Sequence, residues 1–221
     1  MEMDRIKFKG LKQSICAFAL LIAVSTAYSM DVIVSDVLSG DGEDNFGTTF
    51  SQSGAMGTII EIDLNNFTAL AVSSGAFAQS VVNDSVSMLL TAPTGFLISS
   101  VKYSESGIGN TTAGFGSASG AINVGGKPNN FPTAIINPGS TLADWSFGNT
   151  TLVNDLSSVA VNITNVISAI AFGVGDSSEV TKTMAKLEIG LTAVPIPPAI
   201  WMMGAAITAL VTVGRRGGQA S

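Results

Sequence analysis

Few side chains in this sequence have types and spacings that could do chemistry, and each points to a different kind. Tyr103, Trp145 and Phe147 are aromatic, and a ring face offers apolar area that matches the C–H surface of a sugar. Trp145 and Phe147 are two apart, hence on one face of a strand, beside Asp144 and Asn149, whose polar atoms suit hydroxyl groups. Glu61 and Asp63 are also two apart and superficially fit a carboxylate pair for acid–base hydrolysis. Acids alternating on an outer strand face equally serve solubility and protection of an edge, and no second acidic partner is identifiable, so the pair reads as surface. Asp36, Asp41, Glu43, Asp44 and Asn45, with Gly40 and Gly42 between them, supply oxygen ligands of the kind Ca²⁺ takes. They lack the ligand spacing and closing Glu of an EF-hand and read first as a solvated loop, with calcium as a side expectation.

The composition closes other routes. The chain has no His, and its one cysteine is Cys16. A Ser-His-Asp triad, a Cys-His nucleophile and a His-rich zinc or haem site therefore cannot be assembled. Residues 31–193 carry 14 acidic side chains against four lysines and no arginine, a net charge of −10. That balance argues against nucleic acid as a partner. The expectation is a protein without enzymatic activity.

The elements that must position these residues are strands. Gly, Ser, Thr, Asn, Val and Ala dominate residues 30–193, and apolar residues recur with period two between turn-forming clusters. The clearest strand is 182–191, where Ala185, Leu187, Ile189 and Leu191 alternate with Lys186, Glu188 and Gly190. Another is 59–64, with Ile60, Ile62 and Leu64 opposite Glu61 and Asp63. A third holds Val159, Val161 and Ile163 and is separated from 167–174 by a turn expected around Asn165. Further strands are expected at 32–34, 67–72, 85–91, 96–104, 113–124, 131–137 and 145–153. Ten or so short strands predict an all-β domain, an antiparallel β-sandwich or jelly roll. Gly107, Gly109, Gly114, Gly116, Gly120, Gly125 and Gly126 read as turns and bulges, since no helix follows them to make a phosphate-binding loop.

Both ends read as routing signals. Arg5, Lys7, Lys9 and Lys12 precede an apolar stretch at 15–24, and Ser25, Ala27 and Ser29 offer a cleavage site. Residues 1–29 are thus expected to be a secretory signal helix handled by the Sec translocon and removed. At the other end, residues 189–214 carry no charge, and a helix over 194–214 would be roughly 30 Å long, one bilayer core. Pro195, Pro197 and Pro198 suit an extended lead-in, so the transmembrane helix is expected over 199–213 in the inner membrane, with Arg215 and Arg216 left on the cytoplasmic side.

The residues 194–221, with Val194-Pro195-Ile196-Pro197-Pro198, then Trp201 and Gly204 in an apolar run, then Arg215-Arg216, resemble the PEP-CTERM sorting domain of Gram-negative bacteria, in its Val-Pro-Leu-Pro-Ala variant. Ile196 stands where Leu is usual and Pro198 where Ala is usual. The resemblance implies recognition by an exosortase, cleavage near the proline motif, and transfer to the cell surface or the extracellular matrix. The stretches 91–105 and 158–165 are more loosely similar to the bodies of other proteins with such tails, and no activity comes with that. The expected function is an exported, exosortase-processed structural protein of the exopolysaccharide or biofilm matrix. The rival reading is a carbohydrate-binding β-sandwich module with Trp145 and Phe147 in its sugar patch.

Overall fold

The computed structural model describes residues 31–40, 45–195 and 202–207. Twelve strands follow in chain order: β1 Ile33–Ser39, β2 Phe46–Ser53, β3 Ile59–Leu64, β4 Thr68–Val72, β5 Phe77–Thr91, β6 Phe96–Thr111, β7 Gly114–Val124, β8 Lys127–Asn130, β9 Ala134–Ile136, β10 Ala143–Leu156, β11 Ser158–Phe172 and β12 Ser177–Ala193. They form two six-stranded antiparallel sheets. Sheet I runs β1-β5-β11-β7-β8 with β9 also on β7, and sheet II runs β10-β6-β12-β3-β2 with β4 also on β12. The sheets pack face to face, and the inward rows of both supply one core that includes Phe46, Ile60, Tyr103, Ile122, Ile163 and Leu187. The two-sheet sandwich expected from the alternation is therefore what forms.

The strands are longer than the sequence suggested. Strands β5, β6, β11 and β12 have 15 to 17 residues each. The expected turn at Asn165 does not exist: β11 runs through it, paired residue by residue with Asp84 on β5 and Gly120 on β7. Asn165 lies in the same inward row as Val159, Val161, Ile163, Ile167 and Ala169. Its turn propensity is overridden by two flanking ladders and by a buried partner set described below. Of the strand expected over 131–137 only Ala134–Ile136 forms, as β9, and Pro132, which has no N–H to give a ladder, lies in the part that does not.

The glycines also differ from expectation. Gly125 and Gly126 do form a tight turn with positive φ. Gly107 and Gly109 lie within β6 and face inward. A Cβ at Gly107 would fall 2.3 Å from the Trp145 ring, so this glycine makes room for the indole paired opposite it.

One irregularity decides where a charge goes. In the β12–β6 ladder Lys182 pairs Gly107 while Met184 pairs Ser106, so Thr183 is an extra residue, a β-bulge. The bulge reverses the parity of β12. Ala185, Leu187 and Ile189 face the core on one side of it, and Ser178, Val180 and Lys182 on the other. Without the extra residue, Lys182 would share the outer face with the half-buried Lys186 and Glu188.

The expected terminal helices are not shown. Residues 1–30 lie outside the described residues, as do Ile196, Pro197, Pro198, Trp201, Arg215 and Arg216 of the tail motif. Val194 and Pro195 continue from β12, with the Val194 N–H bonded to the Gly95 carbonyl at 2.9 Å. Residues 202–207 are helical and exposed. Among the described residues no helix is long and apolar enough to cross a membrane.

Candidate functional site

Two features of the sandwich stand apart from ordinary core and surface. The first is a polar cluster sealed between the sheets. β6 carries Tyr103 and Glu105 inward, β12 brings Lys182 in through its bulge, and β11 on the opposite sheet contributes Asn165. Glu105 Oε2 accepts hydrogen bonds from Lys182 Nζ at 2.5 Å, from Asn165 Nδ2 at 2.7 Å and from the Tyr103 hydroxyl at 2.7 Å. Lys182 also donates to the Tyr103 oxygen at 2.7 Å. The Lys182 and Glu105 side chains are 0 % and 1 % exposed.

Burial of this kind changes protonation. Loss of water holds Lys182 down at about 8 from its ordinary 10.5, although Glu105 and, more remotely, Asp84 pull the other way. Burial, reinforced by the neighbouring Glu105 carboxylate, pushes the Tyr103 hydroxyl well above its ordinary range. The Lys182 ammonium lies 4.4 Å from the Phe46 ring centre and 5.2 Å from that of Phe67, which replace part of its lost hydration. Asp84, the remaining buried acid of sheet I, accepts the Phe46 backbone N–H through Oδ2 at 2.7 Å and so ties β5 to β2 across the sandwich. The outer-face acid Glu188 has its carboxyl held low by hydrogen bonds from Lys186 and Lys102 in open solvent.

The second feature is the outer face of sheet I. Phe77 on β5, Phe172 on β11 and Phe115 on β7 are 56 %, 42 % and 43 % exposed. Phe77 is paired directly with Phe172, and Phe115 with Ile170 one pleat along. The ring centres lie 5.9 Å apart for Phe77–Phe172 and 6.1 Å for Phe115–Phe172. Below them the same face carries Gln79, Ser117, Ser168, Asn83, Thr164, Asn162 and Asn123. The only charged residue of these three strands is Asp84, which faces inward. A shallow depression lined by Asn83, Asp84, Ser85, Thr164, Asn165 and Val166 opens on this sheet.

Of the residues singled out in the sequence, the three aromatics are brought together in the core and the acidic ones are not joined to them. Trp145 is 6 % exposed and lies over Gly107, with Phe147 5.5 Å away. Phe147 stacks on Phe131 at 6.0 Å, and Phe131 on Tyr103 at 5.6 Å, so these rings form a ladder that fills one end of the core. Glu61 and Asp63 are exposed on β3, with Asp63 accepting from the Thr49 hydroxyl. Of the acidic cluster, Asp41, Glu43 and Asp44 lie outside the described residues, while Asp36 is in β1 and Asn45 is buried just before β2. Among the described residues no group of three or more His, Cys, Asp or Glu is placed to hold a metal ion.

Sequence reasoning missed both features. The signal for the buried cluster was present in part, because Val101, Tyr103 and Glu105 alternate, and Asn165 continues the parity of Val159, Val161 and Ile163. The three phenylalanines are far apart in the chain and are gathered only by strand pairing.

No protein-family model matches the chain, and no curated protein sequence does. Among solved structures it is similar to TmCBM61 in complex with β-1,4-galactotriose, at 12 % identity over 77 % of this chain and 94 % of that one, with a TM-score of 0.27. It is also similar to a family 35 carbohydrate binding module from Clostridium thermocellum, at 14 % identity over 72 % and 93 %, TM-score 0.24. A third similarity is to infectious bursal disease virus, Gt strain, at 10 % identity over 71 % and 50 %, TM-score 0.22. At these scores the likenesses carry no functional weight, and a functional reading must stand on the chain's own residues.

Proposed function

We propose that this protein is an exported, non-enzymatic β-sandwich of a Gram-negative cell surface or exopolysaccharide matrix, and that it holds neutral polysaccharide on the outer face of sheet I. The observation that carries the reading is the exposed triad Phe77, Phe115 and Phe172 above an uncharged strip of amides and hydroxyls that also holds the exposed Val81 and Val166. Three adjacent open rings offer stacking area to the C–H faces of sugar rings, and Gln79, Asn83, Asn123 and Asn162 offer donors and acceptors to hydroxyls. The net charge of −10 over residues 31–193 disfavours an anionic, uronic acid-rich chain and leaves a neutral one. The sugar patch is thus proposed at these phenylalanines in place of Trp145 and Phe147.

The routing part of the proposal rests on the sequence of the two ends: a Sec-type leader, and a tail whose Val194-Pro195 start, apolar run and Arg215-Arg216 stop resemble an exosortase substrate. Retention in a polysaccharide-containing gel tests the sugar reading. The folded protein is run through the host's own exopolysaccharide and through neutral galactan, mannan and glucan. Retardation by at least one, lost in Phe77→Ala and Phe172→Ala, supports the proposal, and equal mobility with and without every polymer overturns it. C-terminal mass analysis in host strains with and without exosortase tests the routing, since a tail ending at Ser221 in both would refute processing.

A further inference from the structure

Lys182, Glu105 and Asn165 converge from β12, β6 and β11 on a single oxygen. Glu105 Oε2 bonds Lys182 Nζ at 2.5 Å and Asn165 Nδ2 at 2.7 Å, so amine and carboxamide are held within two hydrogen-bond lengths of one another. A carboxylate oxygen accepts only, which orients the amide with Nδ2 toward Glu105 and Oδ1 away from it. That Oδ1 atom is buried and has no hydrogen-bond partner. It points at Gly120 on β7, where a Cβ would sit 2.1 Å from it, so the absence of a side chain there makes its space. A fully buried polar atom left unpaired calls for an explanation, and a reactive centre is one.

We infer that Lys182 and Asn165 join in an intramolecular isopeptide bond, with Glu105 as the catalytic proton relay. The unprotonated Lys182 amine adds through its lone pair to Asn165 Cγ, forming the Nζ–Cγ bond. The Glu105 carboxyl passes one proton from Nζ to Nδ2, the Cγ–Nδ2 bond breaks, and its electron pair leaves with ammonia. Amine plus primary amide become secondary amide plus ammonia, Glu105 ends unchanged, and no oxidant or co-reactant is consumed. The site provides what this single-turnover step needs: reactants held together on one carboxylate oxygen, a relay between both nitrogens, and exclusion of the water that would compete. Burial also brings Lys182 down to about 8, so that unprotonated amine is present near neutral pH.

The bond would staple β11 of sheet I to β12 of sheet II at the centre of the core. The 31–193 region has no cysteine, so a disulfide cannot do the same. Asn165 rather than Glu105 is the acyl donor, because a carboxylate resists attack by an amine and a carboxamide has a neutral leaving group once Nδ2 is protonated.

Mass spectrometry of the full chain, isolated folded, tests this without any variant. A deficit of about 17 Da, one ammonia per chain, is expected. Trypsin should fail to cut at Lys182, and after a further chymotryptic cut at Phe172 the pieces bearing Asn165 and Lys182 should stay covalently joined. Glu105→Gln should restore the full mass while Asn165 and Lys182 remain in place. A folded wild-type chain of full mass that is cleaved normally at Lys182 would overturn the inference. So would a deficit of about 18 Da, which would mean loss of water and a Lys182–Glu105 amide. A deficit that persists in Glu105→Gln would overturn the catalytic role of Glu105.

Discussion

Lys182 Nζ and Glu105 Oε2 meet at 2.5 Å between the two sheets, with neither side chain reaching solvent. The pair comes from adjacent strands of sheet II, and its contact depends on the bulge at Thr183 that turns Lys182 inward. A buried ion pair is not in itself stabilising relative to apolar residues, because desolvation offsets most of the attraction. Removing one partner is another matter, since it strands the other.

Lys182→Met should therefore cost at least about 3–5 kcal/mol, because it removes the cross-link and leaves Glu105 buried with only its bonds from Asn165 and Tyr103 and no counter-charge. The double variant Lys182→Met/Glu105→Gln should recover part of that loss. Denaturant midpoints of the three chains check both statements, and a single variant as stable as wild type would refute them.

The pH profile separates amine from amide. In Asn165→Ala the Lys182 amine cannot be acylated by residue 165, and its folded-state value of about 8 lies below the ordinary 10.5. Between these values the unfolded chain binds more protons than the folded one, so stability should rise as pH increases from about 8 toward 10. Above that range Tyr103, held protonated by burial, opposes the trend, because the folded chain then retains the extra proton. Glu105 and Asp84 are the other titratable groups acting on Lys182. In the cross-linked wild type no Lys182 amine titrates, and the Lys182 contribution in this window should vanish. Denaturation at graded pH reads the difference.

Phe77→Ala and Phe172→Ala should weaken retention by polysaccharide by roughly tenfold each, as for a residue at the centre of a binding patch. Both side chains are about half exposed and outside the core, so stability should change by only about 0.5–1 kcal/mol. Trp145→Ala should do the opposite, costing about 3–5 kcal/mol of stability because it empties core volume. Thermal melts beside gel retention distinguish the two kinds of residue.

Gly120→Ala puts a methyl group where Asn165 Oδ1 lies and also within 2.7 Å of the Thr164 carbonyl. Displacement of the amide should cost about 1–3 kcal/mol. It should also lower the fraction of chains lacking one ammonia, which peptide mass analysis reads directly.

Asp84→Ala should cost about 1–3 kcal/mol, because the Phe46 N–H that Asp84 accepts would be left buried without a partner. Asp84→Asn keeps an acceptor oxygen and should recover most of the loss in the same denaturation assay.

The amino-acid sequence by itself determined the all-β character, the two-sheet alternation and that Tyr103 and Glu105 share one strand face, though not that this face is the inner one, because side-chain direction along a strand has a strict period of two. It also excluded cysteine and histidine chemistry from the domain and carried the reading of both ends. Only the tertiary structure decided the rest. Asn165 has the type of a turn residue, and nothing local shows that ladders on both sides hold it extended. Lys182 has the parity of an exposed residue when counted from Ala185, and a one-residue bulge, set by pairing with β6, reverses it. Trp145 could face either way until Gly107 opposite it left room inside. Phe77, Phe115 and Phe172 become one surface through register between strands remote in sequence, and register is a property of pairs of strands that no single stretch encodes.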